Sequence, residues 1–169
     1  MDIEVVERPD VLWVGCIDYA NNNIDESDIG ATLKRYREEL IDIPKKALVN
    51  PNWSASLSMN YGSRGKPCGL MFAQETYSGE QDGRYDLFTQ PGGLWLRVRI
   101  TAETDLALLG RGSNGTWEYF GILDTAAEEN GYEQAPDVRV QVEYQCHATY
   151  GSDAYMSYAY IPIKSKGGK

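Results

Sequence analysis

Glu143 and Tyr144 stand side by side in the segment VRVQVEYQCHA, a carboxylate and a phenol inside one valine-rich run. A carboxylate in a low-dielectric pocket attracts a cation strongly and resists losing its proton. Glu143 is therefore a candidate counter-charge for a cationic guest. Strand alternation offers a plainer role, because it puts Glu143 on the face of Arg139 and Gln141, where a cross-strand partner would use it. Around this pair the chain is rich in flat rings carrying a polar handle. There are four tryptophans, Trp13, Trp53, Trp95 and Trp117, and twelve tyrosines against three phenylalanines. Such rings hold flat or cationic organic molecules by stacking and cation–π contact. The candidates to line a site are Trp95 and Trp117, with Tyr61, Tyr119 and Tyr144, while Met59 and Met71 supply either adaptable surface or core filling.

Other chemistries find little support. His147 is the only histidine, which removes multi-histidine metal sites and a histidine-based triad. Cys146 is its neighbour and points to the other face of a strand, so the two make no dyad. Cys16, Cys68 and Cys146 are odd in number and widely spaced, which reads as reduced thiols rather than a disulfide framework or zinc site. Gly110 to Gly115 fits G-x-G-x-x-G before a helix, but TAETDLALL separates it from the preceding strand and hairpin-like pairs follow, which is the wrong context for a nucleotide phosphate. No cofactor or metal is implied. A net charge of −9 opposes direct nucleic-acid binding, and no apolar run approaches the roughly 18 residues of a membrane helix. The acidic start, MDIEVVERPD, lacks a secretory signal, so a cytoplasmic location is expected.

The elements that must position these groups come in two matching sets. RPDVLWVGCI and QPGGLWLRVRI both carry Pro-x-x-Leu-Trp, and Pro9 and Pro91, Leu12 and Leu94, Trp13 and Trp95 are each 82 positions apart. In the first half, EVVERPDVLWVGCIDYA reads as a strand interrupted at Pro9. SDIGATLKRYREELIDI is an amphipathic helix from Ser27 with Ile29, Leu33, Tyr36 and Leu40 on its apolar side, and Pro44 ends it. WSASLSMNYG and CGLMFAQETYSG are strands joined by SRGKP. In the second half, LWLRVRI alternates Leu94, Leu96, Val98 and Ile100 against Trp95, Arg97 and Arg99. A helix follows from Ser113 or Asn114 to a cap at Asn130-Gly131, with Tyr119, Ile122, Leu123 and Ala126 as its stripe. VRVQVEYQCHA and AYMSYAYIPIK close the set. One α+β domain is expected over residues 1–165, with repeats at about 1–80 and 81–165, antiparallel sheets, two main helices and a polar tail at 166–169. Concave sites form most often at such junctions.

In this order the chain resembles the GyrI-like effector-binding domain of AraC-type and MerR-type transcription regulators, which also occurs as a free-standing protein. The residues carrying the resemblance are Val6-Glu7-Arg8-Pro9 with Val14-Gly15, then Gln90-Pro91-Gly92-Gly93, and Trp117-Glu118-Tyr119 with Glu129-Asn130-Gly131-Tyr132-Glu133. Val142-Glu143-Tyr144 and Tyr160-Ile161-Pro162-Ile163-Lys164 complete the set. The resemblance implies duplicated β-α-β-β repeats around a central pocket lined by aromatics, where an acidic residue receives hydrophobic, cationic ligands of several kinds. It implies a stand-alone sensor or sequestering protein. Alternatively it implies a hydrolase of strained, cyclopropane-type toxins using Glu143 and Tyr144; a third reading, which the acidic surface permits, is a protein that acts by contacting another protein, for instance as a gyrase modulator. One departure matters: the family's glutamate lies two residues before a tyrosine on the penultimate strand, and here Val142 holds that place.

Overall fold

The structure, a computed structural model, describes residues 2–20, 29–39, 47–61, 68–108, 116–135, 137–144 and 152–167. The SRGKP turn, the Gly110–Gly115 motif, Ser27, Leu40, Pro44, Ser113, Asn114, Cys146 and His147 lie outside the described residues, as does the tail beyond Gly167.

The interruption at Pro9 divides the first strand into β1 (Ile3–Arg8) and β2 (Val11–Ala20). Proline has no N–H to give a ladder, so Pro9-Asp10 becomes a crossing point between sheet positions. Helix α1 (Ile29–Glu39) follows, then β3 (Trp53–Tyr61) and β4 (Cys68–Glu75). The second half opens with β5 (Asp86–Gln90), which the sequence reading missed, and continues through β6 (Gly93–Thr101). The stretch taken as a connector contains a short helix, α2 (Ala102–Leu108), before α3 (Thr116–Glu129). The chain ends with β7 (Tyr132–Gln134), β8 (Asp137–Tyr144) and β9 (Met156–Ser165). Gly131, at φ +76°, terminates α3, and its N–H donates to the Glu128 carbonyl at 3.2 Å, as a left-handed glycine cap should.

Every strand pairing is antiparallel, in the order β1-β6-β9-β8-β3-β4-β2-β5, with β7 added beside β9. That order is palindromic about the β8–β3 junction, where Leu57 pairs with Val140. The first strand of each half is exchanged: β1 joins β6 of the other repeat, and β5 joins β2. Arg8 pairs with Gly93 and Gln90 pairs with Val11, so the two exchanges are register-equivalent. Each half thus completes the other's sheet.

All the helices pack on one face. Tyr36 of α1 joins Val14, Cys16, Leu48 and Tyr85 on that side. Tyr119, Phe120, Leu123 and Ala127 of α3 bury against Leu96, Val98, Ile100, Ile161 and Ile163. The opposite, concave face of the curled sheet has its own core, built from Trp13, Leu57, Met59, Met71, Trp95, Val138, Val140 and Tyr160, with Val6 of β1 and Phe88 of β5 packed against it. No helix among the described residues is long and apolar enough to cross a membrane.

Two glycines allow close backbone approach, Gly92 at the interlock and Gly15 between β2 and β4. A Cβ on Gly92 would lie 2.7 Å from the Arg8 carbonyl oxygen, and the Gly92 N–H donates to Asp10 Oδ1 at 2.6 Å, so the two strand-exchange turns nest against each other. At Gly15 an added Cβ would come within 1.8 Å of the Phe72 carbonyl oxygen. Gly15→Ala must therefore push β2 off β4, and is expected to cost about 2–3 kcal/mol. By thermal unfolding this is a melting temperature lower by roughly 5–10 °C. A melt indistinguishable from the parent would contradict the close approach of these strands.

Candidate functional site

Among the described residues, two cavities lie on the concave face and flank the junction between the halves. Leu57 and Val140, which are fully buried at the junction, line neither. The larger, of about 370 Å³, is walled by Met59, Phe88, Trp95, Val138, Pro162 and the backbone around Pro91-Gly92-Gly93, and carries no charged side chain among its lining residues. The smaller, of about 180 Å³, is lined by Arg8, Trp13, Asn50, Trp53, Glu75, Val142, Tyr158 and Tyr160. The pair reflects the duplication. Trp13 and Trp95 are equivalent, as are their cross-strand partners Glu75 and Pro162. Where β1 ends on Arg8, β5 ends on Gln90, which is wholly buried and accepts a hydrogen bond from Trp13 Nε1 at 2.9 Å. One half-site has kept charge and the other has not.

The rings of the smaller cavity form a row. Trp53 lies against Tyr144 at 5.3 Å and against Tyr158 at 6.0 Å, and Tyr158 against Tyr160 at 6.2 Å, all tilted. Strand alternation builds this row, since Tyr158 and Tyr160 are successive inward residues of β9 while Trp53 sits beside Tyr144 across the β3–β8 pair. Two guanidinium groups stand on these rings: Arg8 lies 4.5 Å from the Tyr160 centroid and Arg97 5.0 Å from that of Tyr158. Arg97 is neutralised by Glu4, whose Oε1 lies 2.6 Å from its Nη2. Glu75, the last residue of β4, is half-buried, and its carboxylate has no hydrogen-bond or ion-pair partner among the described residues.

The residues singled out from sequence divide between the two faces. Glu143 lies on the helix-bearing side with Arg139 and Gln141, away from the ring-lined cavities. Its carboxylate accepts from Tyr155 Oη at 3.1 Å and from Gln141 Nε2 at 3.3 Å. Burial, reinforced by Glu143, holds the Tyr155 hydroxyl well above the ordinary tyrosine range, which keeps it a neutral donor. Tyr144 projects the other way, so Glu143 and Tyr144 share no space for a water. Tyr119 is also on the helix side, its hydroxyl directed to Asp105 and its ring in the core. Met71 is fully buried on the concave face and lines neither cavity. Trp95 and Met59 both wall the larger cavity. Tyr61 and Trp117 belong to β3 and α3 by backbone, and their side chains lie outside the described residues. Arg8, Trp53 and Glu75 were not singled out as site residues. Alternation along β4 places Glu75 on the face of Met71 and Ala73, a signal that could have found it.

No family model and no curated protein matches the sequence. Solved structures do. The C-terminal domain of EcmrR is 14% identical over 97% of this chain and 98% of that one, with a TM-score of 0.68. SAV2435, solved bound to tetraphenylphosphonium, is 12% identical over 97% and 94%, with a TM-score of 0.69. An integron cassette protein from Vibrio cholerae is 13% identical over 96% and 95%, with a TM-score of 0.61. At such identities the likeness is one of fold, and it spans the chain: a curled antiparallel sheet with helices on one side.

Proposed function

We propose that this chain, which has the GyrI-like effector-binding fold, binds a hydrophobic aromatic cation in the smaller cavity and acts as a sensor or sequestering protein for it. One observation carries the reading. Glu75 is a carboxylate without a partner among the described residues, in a cavity also lined by Trp13, Trp53 and Tyr158. A half-buried carboxylate of this kind is poorly solvated, and a cation entering beside it recovers that loss while its rings stack. The tetraphenylphosphonium held by a protein of the same fold supports the same ligand class. The chemistry needed is recognition, with no nucleophile or activated water.

Rhodamine 123, a flat aromatic cation, is the probe. It is expected to quench tryptophan emission on titration. Glu75→Gln should weaken binding by at least tenfold, within the range for removing one member of a desolvated charge pair. Glu143→Gln should leave it unchanged, because that carboxylate is spent on Tyr155 and Gln141. Equal losses from both substitutions, or a loss from Glu143→Gln alone, would move the site to the other face and sink the proposal.

A further inference from the structure

The smaller cavity holds a second charge that a simple cation does not use. The Arg8 guanidinium carbon lies over the Tyr160 ring, 4.5 Å from its centroid, and its Nη1 is shielded from solvent with no hydrogen-bond partner among the described residues. Unlike Arg97, it forms no ion pair with an acidic residue among the described residues. A shielded guanidinium N–H without an acceptor is costly to leave unpaired, and the group that best satisfies such a fork is a carboxylate. The equivalent position in the other repeat is Gln90, turned to Trp13, so the arginine is not a requirement of the strand exchange. Arg8 also disfavours an unbalanced positive ligand, because it and Arg97 already hold faces of Tyr160 and Tyr158.

We propose that the physiological ligand is an aromatic zwitterion whose cationic end meets Glu75 and whose carboxylate meets the guanidinium of Arg8, which lines the same cavity. This rests on the cation reading above and adds the ligand's second charge. Net neutrality of ligand and site together then follows without any counter-ion, and the rings of Trp53 and Tyr158 receive the flat part between the charges.

A matched pair of dyes tests it. Rhodamine 110 is a zwitterion at neutral pH, and rhodamine 123 is its methyl ester, a cation with the same ring system. The parent protein is expected to bind rhodamine 110 roughly tenfold more tightly, as one charge-assisted contact provides. Arg8→Met keeps the stem on Tyr160 and removes the charge, so it should abolish that preference by weakening rhodamine 110 about tenfold while leaving rhodamine 123 as tight or tighter. Arg8→Lys should retain part of it. If the parent protein binds rhodamine 123 as well as or better than rhodamine 110, the zwitterion inference falls and the cation reading survives. Failure of both dyes to bind removes both. The comparison on the parent protein decides even if a variant does not fold.

Discussion

Trp13→Ala is expected to be among the most damaging single substitutions in this chain, removing on the order of 5 kcal/mol of stability. Two costs combine. The indole is almost wholly buried in the concave core, so its loss leaves a cavity that the rigid sheet around it cannot collapse to fill. Its Nε1 is also the donor to Gln90 Oε1, and the Gln90 amide nitrogen has no partner among the described residues, so this single bond anchors the buried glutamine side chain. Trp95, its equivalent in the second repeat, is as deeply buried and makes no such hydrogen bond. Trp95→Ala should therefore carry the cavity cost alone, about 3–4 kcal/mol. Trp13→Phe, which keeps most of the volume, isolates the orphaned glutamine at about 1–2 kcal/mol. Urea unfolding measures all three, with the midpoint moving and the slope held. Identical losses from the two alanine variants would mean that the glutamine contributes nothing and that the halves are energetically equivalent.

That asymmetry bears on how much could be read in advance. The duplication was legible because Pro-x-x-Leu-Trp recurs, and each strand's alternation foretold which side its residues take. Trp95 and Arg97 do oppose Leu96 and Val98, and Glu143 does share a face with Arg139 and Gln141. Arg139 itself is buried and paired with Asp124 of α3 at 2.9 Å, which is where a helix-side charge has to find its partner. β5 escaped notice because a five-residue strand between polar turns has little periodicity, although its 82-residue offset from β1 would have exposed it. The strand exchange was not legible. Nothing local in EVVER says that it pairs with a strand some 90 residues away, and that exchange is what brings Arg8 to Tyr160. Alternation decides the face of a residue but not which end of a curled sheet it reaches. Glu75 could be assigned to the concave side, whereas its place beside Trp53 depends on curvature.

The position of Val142 turns this geometry into a second demanding test. Val142 lines the smaller cavity from β8, across from Tyr158, and holds the place where the sequence resemblance leads one to expect a glutamate. In Glu75→Gln the cation has lost its counter-charge. Adding Val142→Glu restores one carboxylate to the same 180 Å³ space, on a different wall and nearer the strand that carries Tyr160. Rhodamine 123 affinity is expected to rise again by at least tenfold over the single variant. Rhodamine 110 should behave differently, because a carboxylate at 142 stands on the side where Arg8 packs and competes for its fork. The double variant is therefore expected to prefer the cation over the zwitterion, a swing of roughly a hundredfold relative to the parent, two charge contacts having changed sides. Anisotropy titrations of both dyes at one ionic strength measure it. A double variant that recovers neither dye, or both equally, would mean that Val142, Glu75 and Arg8 do not face one ligand, and the site would have to be sought in the uncharged cavity beside Trp95.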